Sequence, residues 1–232
     1  MARGERLGAR GAEMSAVYVV VEGSIAACVD TERGERFAYQ IGGPGWVYGL
    51  VPLIDGRPAP HSVMALEPAT VLEVPLAEIR AMLAERPELW GSVALELASR
   101  FRDKAATLAD HALQPLRVRL ARSLLKLAAM HGRPAGVSVE IHLKLSNELI
   151  GETLGVARQT AALHLQDMVS EGLIRWHYGR AILCDVGRLH VIEAEHQAEA
   201  VGSLAGVGRR PCLTPFPAGC AAGSLRRQAN TP

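Results

Sequence analysis

The chain has 232 residues, of which 49% are hydrophobic and 21% charged, and its formal net charge is +1. No apolar run approaches the ~20 residues needed to span a bilayer, so this length and composition favour one or two folded domains over a membrane protein. The four cysteines form no Cys-x-x-Cys pair and no apolar secretory signal is present, so we expect a cytoplasmic protein without a metal site, a resident cofactor or a disulfide framework.

Residues 1–87 are predicted to form a domain of short strands. Apolar and β-branched segments over 17–75 are separated by turn residues at Glu22–Gly23, Arg33–Gly34 and Glu67–Pro68. Many short strands at close spacing are typical of a small jelly-roll-like β-barrel. The Gly- and Pro-rich stretch 42–61 is too irregular for a strand, so we expect it to carry a site or a contact loop.

Helical periodicity begins at Leu76, is interrupted at Pro87, and resumes as a long helix over 88–113. Residues with an approximate three-four spacing mark one side of that helix: Val93, Leu97, Phe101 or Lys104, Leu108 and His111. A long amphipathic helix between two domains often mediates dimerisation, so we expect a homodimer interface over 88–113. Packing of the helix on its own barrel would produce the same stripe.

Residues 114–188 are predicted to form a DNA-binding domain. An amphipathic helix over 116–131 is ended by Pro134–Gly136, and short strands are expected over 137–141 and 143–145. Together with the segments described next, these elements predict an α+β fold class: an N-terminal barrel, a long helix, and a C-terminal winged helix–turn–helix.

The segment 146–174 has the pattern of the helix–turn–helix itself. Ser146 can accept a backbone N–H at the start of the first helix, and Gly155 lies where the tight inter-helix turn requires positive φ. The second helix is expected from about Ala157. Apolar residues at i, i+4 and i+7 predict its buried side: Ala161, Leu165 and Met168.

The opposite side of the second helix is predicted to face DNA. Arg158, Gln159 and Ala162 face outward near its N-terminal end, the part of a recognition helix that meets base edges. Arginine can pair with guanine O6 and N7, and glutamine with adenine N6 and N7. These residues therefore predict direct readout of double-stranded DNA.

A wing is expected after the second helix. The segment 174–184 alternates in polarity and turns at Tyr178–Gly179, which is typical of a β-hairpin. Arg175 and Arg180 are placed on this hairpin to contact phosphates.

The distribution of charge along the sequence agrees with a DNA-binding C-terminal domain. Residues 1–113 carry eleven basic and fifteen acidic side chains, whereas 114–188 carry ten basic and six acidic ones. The near-neutral total therefore conceals a basic C-terminal domain. Residues 189–232 are expected to form a short helix and then a disordered Gly-, Pro- and Ala-rich tail.

The order of barrel, loop, long helix and winged helix resembles the Crp/Fnr family of bacterial transcription regulators, over about 4–189. The most specific segment is LGVARQT (154–160), which stands where the family has Leu-Gly-x-Ser-Arg-x-Thr. The segments VYVVVEGSI (17–25), IDGRP (54–58) and ALEPAT (65–70) also fit the family.

The resemblance implies a homodimer whose recognition helices enter successive major grooves of a near-palindromic operator, about 34 Å apart. RNA polymerase would be a further partner. By position, Arg158 and Gln159 match the family's base-reading residues, and Thr160 matches a phosphate contact. Leu163 stands where the family often has arginine, so that contact is expected to be lost. Ala157 replaces a capping serine, which should weaken the helix start by roughly 1 kcal/mol.

The sensory side departs from the family pattern. Cyclic-nucleotide-binding members hold ribose hydroxyls and the phosphate with a Phe-Gly-Glu run and a later Arg-Ser or Arg-Thr pair. Tyr48-Gly49-Leu50 and Ala59-Pro60 stand at these places here, so the carboxylate and the guanidinium are both absent. Burying a phosphate without a cation is costly, so binding of cAMP or cGMP is not expected. The candidates for contacting an unknown small-molecule effector are Tyr48, Gly49, Leu50, Arg57 and His61.

The resemblance also predicts a shortened barrel. Family members usually have a helix and a first strand before the segment that matches 4–7, and their absence would leave an uncovered sheet edge.

Two other functions fit parts of the sequence. A cupin-like metalloenzyme needs several histidine and carboxylate ligands, but His61 is the only histidine before His111. A Gly-x-Ser-x-Gly hydrolase motif is also missing, so we expect no enzyme. The second alternative is a ligand-binding regulatory module with a degenerate DNA-binding domain, and Ala157 and Leu163 favour it.

Overall fold

A computed structural model describes residues 1–194 of the chain. The disordered tail expected beyond this point lies outside the described residues. The short helix expected after 188 is present in part, because residues 186–194 are helical.

The N-terminal unit consists of short strands and one short helix. In chain order these are β1 (Arg6–Gly8), β2 (Ala16–Glu22), β3 (Ile25–Asp30), β4 (Arg36–Gly42), β5 (Val47–Tyr48), α1 (Leu50–Asp55), β6 (Ser62–Ala65) and β7 (Thr70–Pro75). The expectation that 42–61 lacks regular structure is therefore wrong in part. Val47 and Tyr48 pair with β2, and Gly49, at φ 103°, lets the chain turn directly into α1.

The strands form two antiparallel sheets, in the orders β1-β6-β3-β4 and β5-β2-β7. Their facing sides share a core that includes Val20, Ile25, Tyr48 and Val63. The expected fold class is confirmed, although the sheets are separate and do not close into a barrel. β1 lies at one edge of the first sheet and pairs with β6.

Three helices follow the sheets: α2 (Leu76–Glu85), α3 (Leu89–Leu113) and α4 (Leu116–His131). Pro87 and Pro115 occupy the breaks between them, as expected for a residue that cannot continue a helix. Within residues 1–194, none of the helices has the length and apolar content that crossing a bilayer requires.

The single stripe predicted along α3 is wrong in part, because Phe101 and Leu108 lie on a different face from its other members. Val93 and Leu97 pack against the sheet unit, whereas Phe101 and Leu108 point away from it with 74% and 72% of their surface exposed. The residues on each face recur at a three-four spacing, so the sequence pattern does not distinguish the two faces.

The C-terminal unit is a winged helix–turn–helix, as predicted. Its elements after α4 are β8 (Gly132–Ala135), β9 (Ser138–Ile141), α5 (Asn147–Leu154), α6 (Arg158–Ser170), β10 (Ile174–His177) and β11 (Arg180–Leu183). The sheet order is β10-β11-β9-β8. The strand expected over 143–145 is absent, and this segment instead supplies buried leucines and one backbone hydrogen bond, from Leu145 N to Gly179 O at 2.7 Å.

The two units pack directly on each other. One apolar core cluster contains Ala38 and Ile41 from β4 together with Leu124 from α4 and Ile150 from α5. An ion pair of 4.0 Å between Arg36 and Glu152 borders it. The helix–turn–helix is therefore held against the first sheet through α4 and α5, and α6 remains on the outside.

Candidate functional site

The first helix of the helix–turn–helix begins and ends as its sequence predicts. Ser146 Oγ accepts a hydrogen bond from Leu149 N at 3.0 Å, and Gly155 ends α5 in the left-handed region at φ 65°. Gly151 permits the tight turn to α6, because a Cβ at this position would lie 2.8 Å from Val156 O. These residues fix the angle at which α6 leaves α5.

The second helix, α6, turns its apolar side inward and its first turn outward. The predicted buried residues Ala161, Leu165 and Met168 are confirmed as its buried side. Arg158 and Gln159 are exposed, and no element of the described chain covers them.

The other predicted contacts of α6 occupy intermediate positions. Thr160 and Ala162 are half-buried beside the exposed pair. Leu163 is 62% exposed, so an apolar side chain occupies the surface where the family often places an arginine. On the side of α6 that is predicted to face DNA, the polar side chains are therefore confined to the first turn of the helix.

The start of α6 carries no side-chain cap, because Ala157 occupies the N-cap position. We expect Ala157→Ser to raise the free energy of unfolding by about 0.5–1 kcal/mol, because a hydroxyl there can accept an orphan N–H. Ser146→Ala should lower it by about 1 kcal/mol. Urea denaturation measures both, and equal midpoints for the two variants would contradict this account of the helix ends.

The wing is a tight β-hairpin. Tyr178 at φ 48° and Gly179 at φ 76° form the two-residue turn between β10 and β11, which suits a type I′ geometry. Arg175 is exposed, and Arg180 lies 3.6 Å from Glu140 with 75% of its side chain exposed. The tip also presents Tyr178, 85% exposed, which the sequence marked only as a turn residue.

The structure separates the candidate effector residues. Tyr48 and His61 lie together, with Tyr48 Oη donating to His61 O at 3.2 Å and 5.3 Å between the rings. Gly49 starts α1, and Leu50 packs in the apolar cluster beneath that helix. Arg57 is exposed beyond the end of α1 and does not join Tyr48 and His61.

Sequence reasoning missed two members, Tyr39 and Trp46, of the aromatic cluster around this pair, which we define as Tyr39, Trp46, Tyr48 and His61. Trp46 stacks on Tyr48 with ring centroids 6.3 Å apart, and Tyr39 meets the His61 ring edge-on at 5.4 Å. No spacing in the sequence signals this cluster, because its members come from different strands and loops.

Two cations of α3 cover the aromatic cluster. The Arg100 guanidinium lies 5.1 Å from the Trp46 ring centroid, and Lys104 Nζ lies 4.1 Å from that of Tyr39. Lys104 also donates to Gln40 Oε1 at 2.5 Å. The space between the aromatic cluster and this part of α3 is thus filled by the protein's own side chains, joined by cation–π contacts.

His61 should make stability depend on pH. Burial, with the nearby charges of Lys104 and Arg100, lowers the pKa of His61 from 6.5 to about 4. The folded protein therefore keeps this ring neutral where the unfolded chain already binds a proton, and stability falls as the pH drops from 6.5 towards 4. After allowance for solvent screening, His61→Asn should remove about 1–2 kcal/mol of the stability lost between pH 7 and 5.

Chemical denaturation at a series of pH values measures this effect. His142→Asn, at an exposed position of the C-terminal unit, controls for the substitution itself. An unchanged pH slope in His61→Asn would contradict a neutral, buried imidazole.

The part of the chain that the structure describes contains no group of three or more His, Cys, Asp or Glu side chains arranged to hold a metal ion. Cys28 is buried and Cys184 half-buried, and both are free thiols.

Comparison with protein families gives two matches. The family model for the cyclic nucleotide-binding domain matches residues 1–86, and that for the Crp-like helix-turn-helix domain matches 118–192. Together they cover most of both folded units and leave the whole of α3 between them.

Characterised relatives match across both units. The chain is 26% identical over 187 residues to a CRP-like cAMP-activated global transcriptional regulator of Mycobacterium tuberculosis, covering 81% of this chain and 84% of that protein. It is 28% identical over 180 residues to the global nitrogen regulator of Synechococcus elongatus, covering 77% and 81%.

Solved structures share the fold. A transcriptional regulator of the CRP family from Thermus thermophilus superposes with a TM-score of 0.72 at 27% identity, covering 84% of this chain and 95% of that one. FixK2 from Bradyrhizobium japonicum gives a TM-score of 0.75 at 20% identity over 83% and 94% of the two chains, and this likeness concerns the fold alone.

Proposed function

Because this chain belongs to the Crp/Fnr family of transcription regulators, we propose that it binds a near-palindromic DNA site as a homodimer through the exposed first turn of α6. One observation carries the proposal: Arg158 and Gln159 project into solvent from a helix whose opposite side is fixed in the core by Ala161, Leu165 and Met168. A DNA duplex can therefore approach α6 without any rearrangement of the C-terminal unit.

The chemistry of this turn suits base readout. The Arg158 guanidinium can donate two hydrogen bonds to guanine O6 and N7, and the Gln159 amide can pair with adenine N6 and N7. Thr160, half-buried beside them, is suited to a phosphate contact. On the wing, Arg175 and Arg180 would contribute salt-dependent phosphate contacts.

The outer face of α3 supports the homodimer. Six residues with a four-three spacing are exposed along it, and all are apolar: Ala94, Ala98, Phe101, Ala105, Leu108 and Ala112. A seam of small and large apolar residues at this spacing suits a second copy of the same helix. The small alanines would let the two backbones approach, and the large side chains would fill the space between them. RNA polymerase is a further partner of this proposed regulator.

The effector is not a cyclic nucleotide in this proposal. The mycobacterial relative is cAMP-activated by name, but the carboxylate and the guanidinium of the family pattern are absent here, and the aromatic cluster and its covering cations surround Tyr48. We expect cAMP to leave the thermal unfolding temperature unchanged at millimolar concentration. A saturable rise with cAMP would contradict this part of the proposal.

Selection of binding sites from a pool of random duplexes tests the function. We expect enrichment of an inverted repeat with half-site centres about 34 Å apart. No enrichment, or equal affinity for selected and random DNA, would reject sequence-specific regulation. Equal affinity would instead favour a ligand-binding module whose DNA-binding unit has degenerated. Two features are consistent with that alternative: Leu163 is apolar, and Ala157 at the N-cap of α6 makes no side-chain hydrogen bond.

A further inference from the structure

A cavity of about 180 Å³ lies where the two units meet, between β4, α3 and α4. Its walls include Gln40 of β4, Thr107 of α3, and Arg119, Arg122, Ser123 and Lys126 of α4. Tyr39 is the one member of the aromatic cluster that lines it, and none of the five candidate effector residues does, so the cavity is not the candidate effector site described above.

Three cations from one helix face line the cavity. Arg119, Arg122 and Lys126 are spaced by three and four residues on α4, which places them on the same side of the helix. The lining carboxylates are Asp103 and Asp110, and Asp110 already accepts a hydrogen bond from Arg122 Nη1. Cations therefore outnumber carboxylates by one among the lining residues, and Glu193, which pairs with Arg122, lies outside this set.

Both arginines retain unused donors. Arg119 Nη2 donates to Leu154 O, yet its Nε is buried without a hydrogen-bond partner among the described residues. Arg122 Nε donates to Glu193 Oε1 at 3.1 Å. The Nη2 atom of Arg122 is buried and has no hydrogen-bond partner within residues 1–194. A buried donor without a partner is destabilising, so an acceptor at this place would be stabilising.

A fourth cation stands directly behind the cavity wall. Lys104 Nζ contacts Gln40 Oε1 and the Tyr39 ring, and both of these residues line the cavity. Burial first, and then repulsion from Lys126 and Arg100, lower the pKa of Lys104 to about 7. The repulsion between Lys104 and Lys126 is what an anion between them would relieve.

We infer that this cavity binds a small anion with a carboxylate or phosphate group, held by Arg119, Arg122 and Lys126 against the wall formed by β4 and α3. The cavity is smaller than the roughly 300–1,000 Å³ typical of pockets for larger ligands, so a compact metabolite fits better than a nucleotide. Leu127 and Met130 also line it and can cover a short apolar body. Such a ligand ties α4 of the DNA-binding unit to the sheet unit, and any effect on DNA binding rests on the proposed function.

Calorimetric titration of the full chain with inorganic phosphate and, separately, with citrate tests the inference. Ionic strength is held constant with chloride, and no DNA is present, so the result is independent of the proposed function. We expect saturable binding of at least one of the two anions at one site per chain. The anion that binds more tightly distinguishes a phosphate ligand from a carboxylate one.

Variants locate the site. Lys126→Ala removes an exposed cation of the cavity wall and should weaken binding roughly tenfold, as loss of a charge-assisted hydrogen bond does. Ser123→Leu leaves every cation in place, fills the cavity, and should abolish binding. Lys144→Ala, an exposed lysine of the same unit outside the cavity, should bind as the unaltered chain does. A non-saturating response, or equal losses in Lys126→Ala and Lys144→Ala, would overturn the inference.

Discussion

Replacing Phe101 and Leu108 together with aspartate should convert the proposed dimer into a monomer. Both side chains are more than 70% exposed on the outer face of α3, where the proposed second copy would bury them. Burial of such a side chain contributes about 1.5–3 kcal/mol, so the four copies in a symmetric dimer account for about 6–12 kcal/mol of association. The four introduced carboxylates would add repulsion to this loss.

Light scattering measures the mass directly, and DNA titration measures the consequence. A monomer engages one half-site at a time, so affinity for the selected inverted repeat should fall at least a hundredfold. Because these side chains contribute little to the protomer core, helical content should remain unchanged. Val137→Asp, a matched change at a 96% exposed apolar residue of the β8–β9 turn, should remain dimeric. A double aspartate variant that keeps the mass of two chains would place the interface elsewhere.

Arg158→Ala should weaken binding by about 1–3 kcal/mol, or roughly 5- to 150-fold, for each half-site, and therefore by about 2–6 kcal/mol for the whole selected DNA site. The expected cause is the loss of two hydrogen bonds to one guanine. Binding to random duplexes should change far less, because phosphate contacts from the remaining basic residues supply most of it. Titration of labelled duplexes at fixed salt concentration measures both affinities.

The ratio of the two affinities separates base readout from simple charge loss. Arg133→Ala removes the same charge from β8, an exposed strand at the other edge of the wing sheet, and should leave the ratio of specific to random binding nearly intact. If Arg158→Ala weakened both kinds of DNA equally, Arg158 would be a phosphate contact.

Local signals in the sequence were enough to predict the helix–turn–helix and the wing. The buried side of α6 follows from three apolar residues within two turns, and the cap at Ser146 and the turn at Gly155 each depend on one residue type. The wing was equally local, because Tyr178–Gly179 supplies the two positive φ angles of its turn. In these segments tertiary contacts only reinforce what neighbouring residues already favour.

The features that the sequence did not reveal depend on distant contacts. β8 contains Gly132 and Pro134, which disfavour a strand, and forms because its backbone pairs with β9. The aromatic cluster joins Tyr39 and His61 to Lys104 across long stretches of chain. The two faces of α3 have the same period, so only the position of the sheets shows which one faces solvent.

Readout of a base by Arg158 is tested most directly by combining protein and DNA substitutions. Affinities are measured for the original chain and for Arg158→Ala, each with the selected site and with sites carrying one changed base pair. We expect a single guanine whose replacement costs about 1–3 kcal/mol with Arg158 present and almost nothing with alanine. If every base change costs the same in both proteins, Arg158 does not read sequence and the proposed mode of DNA recognition is wrong.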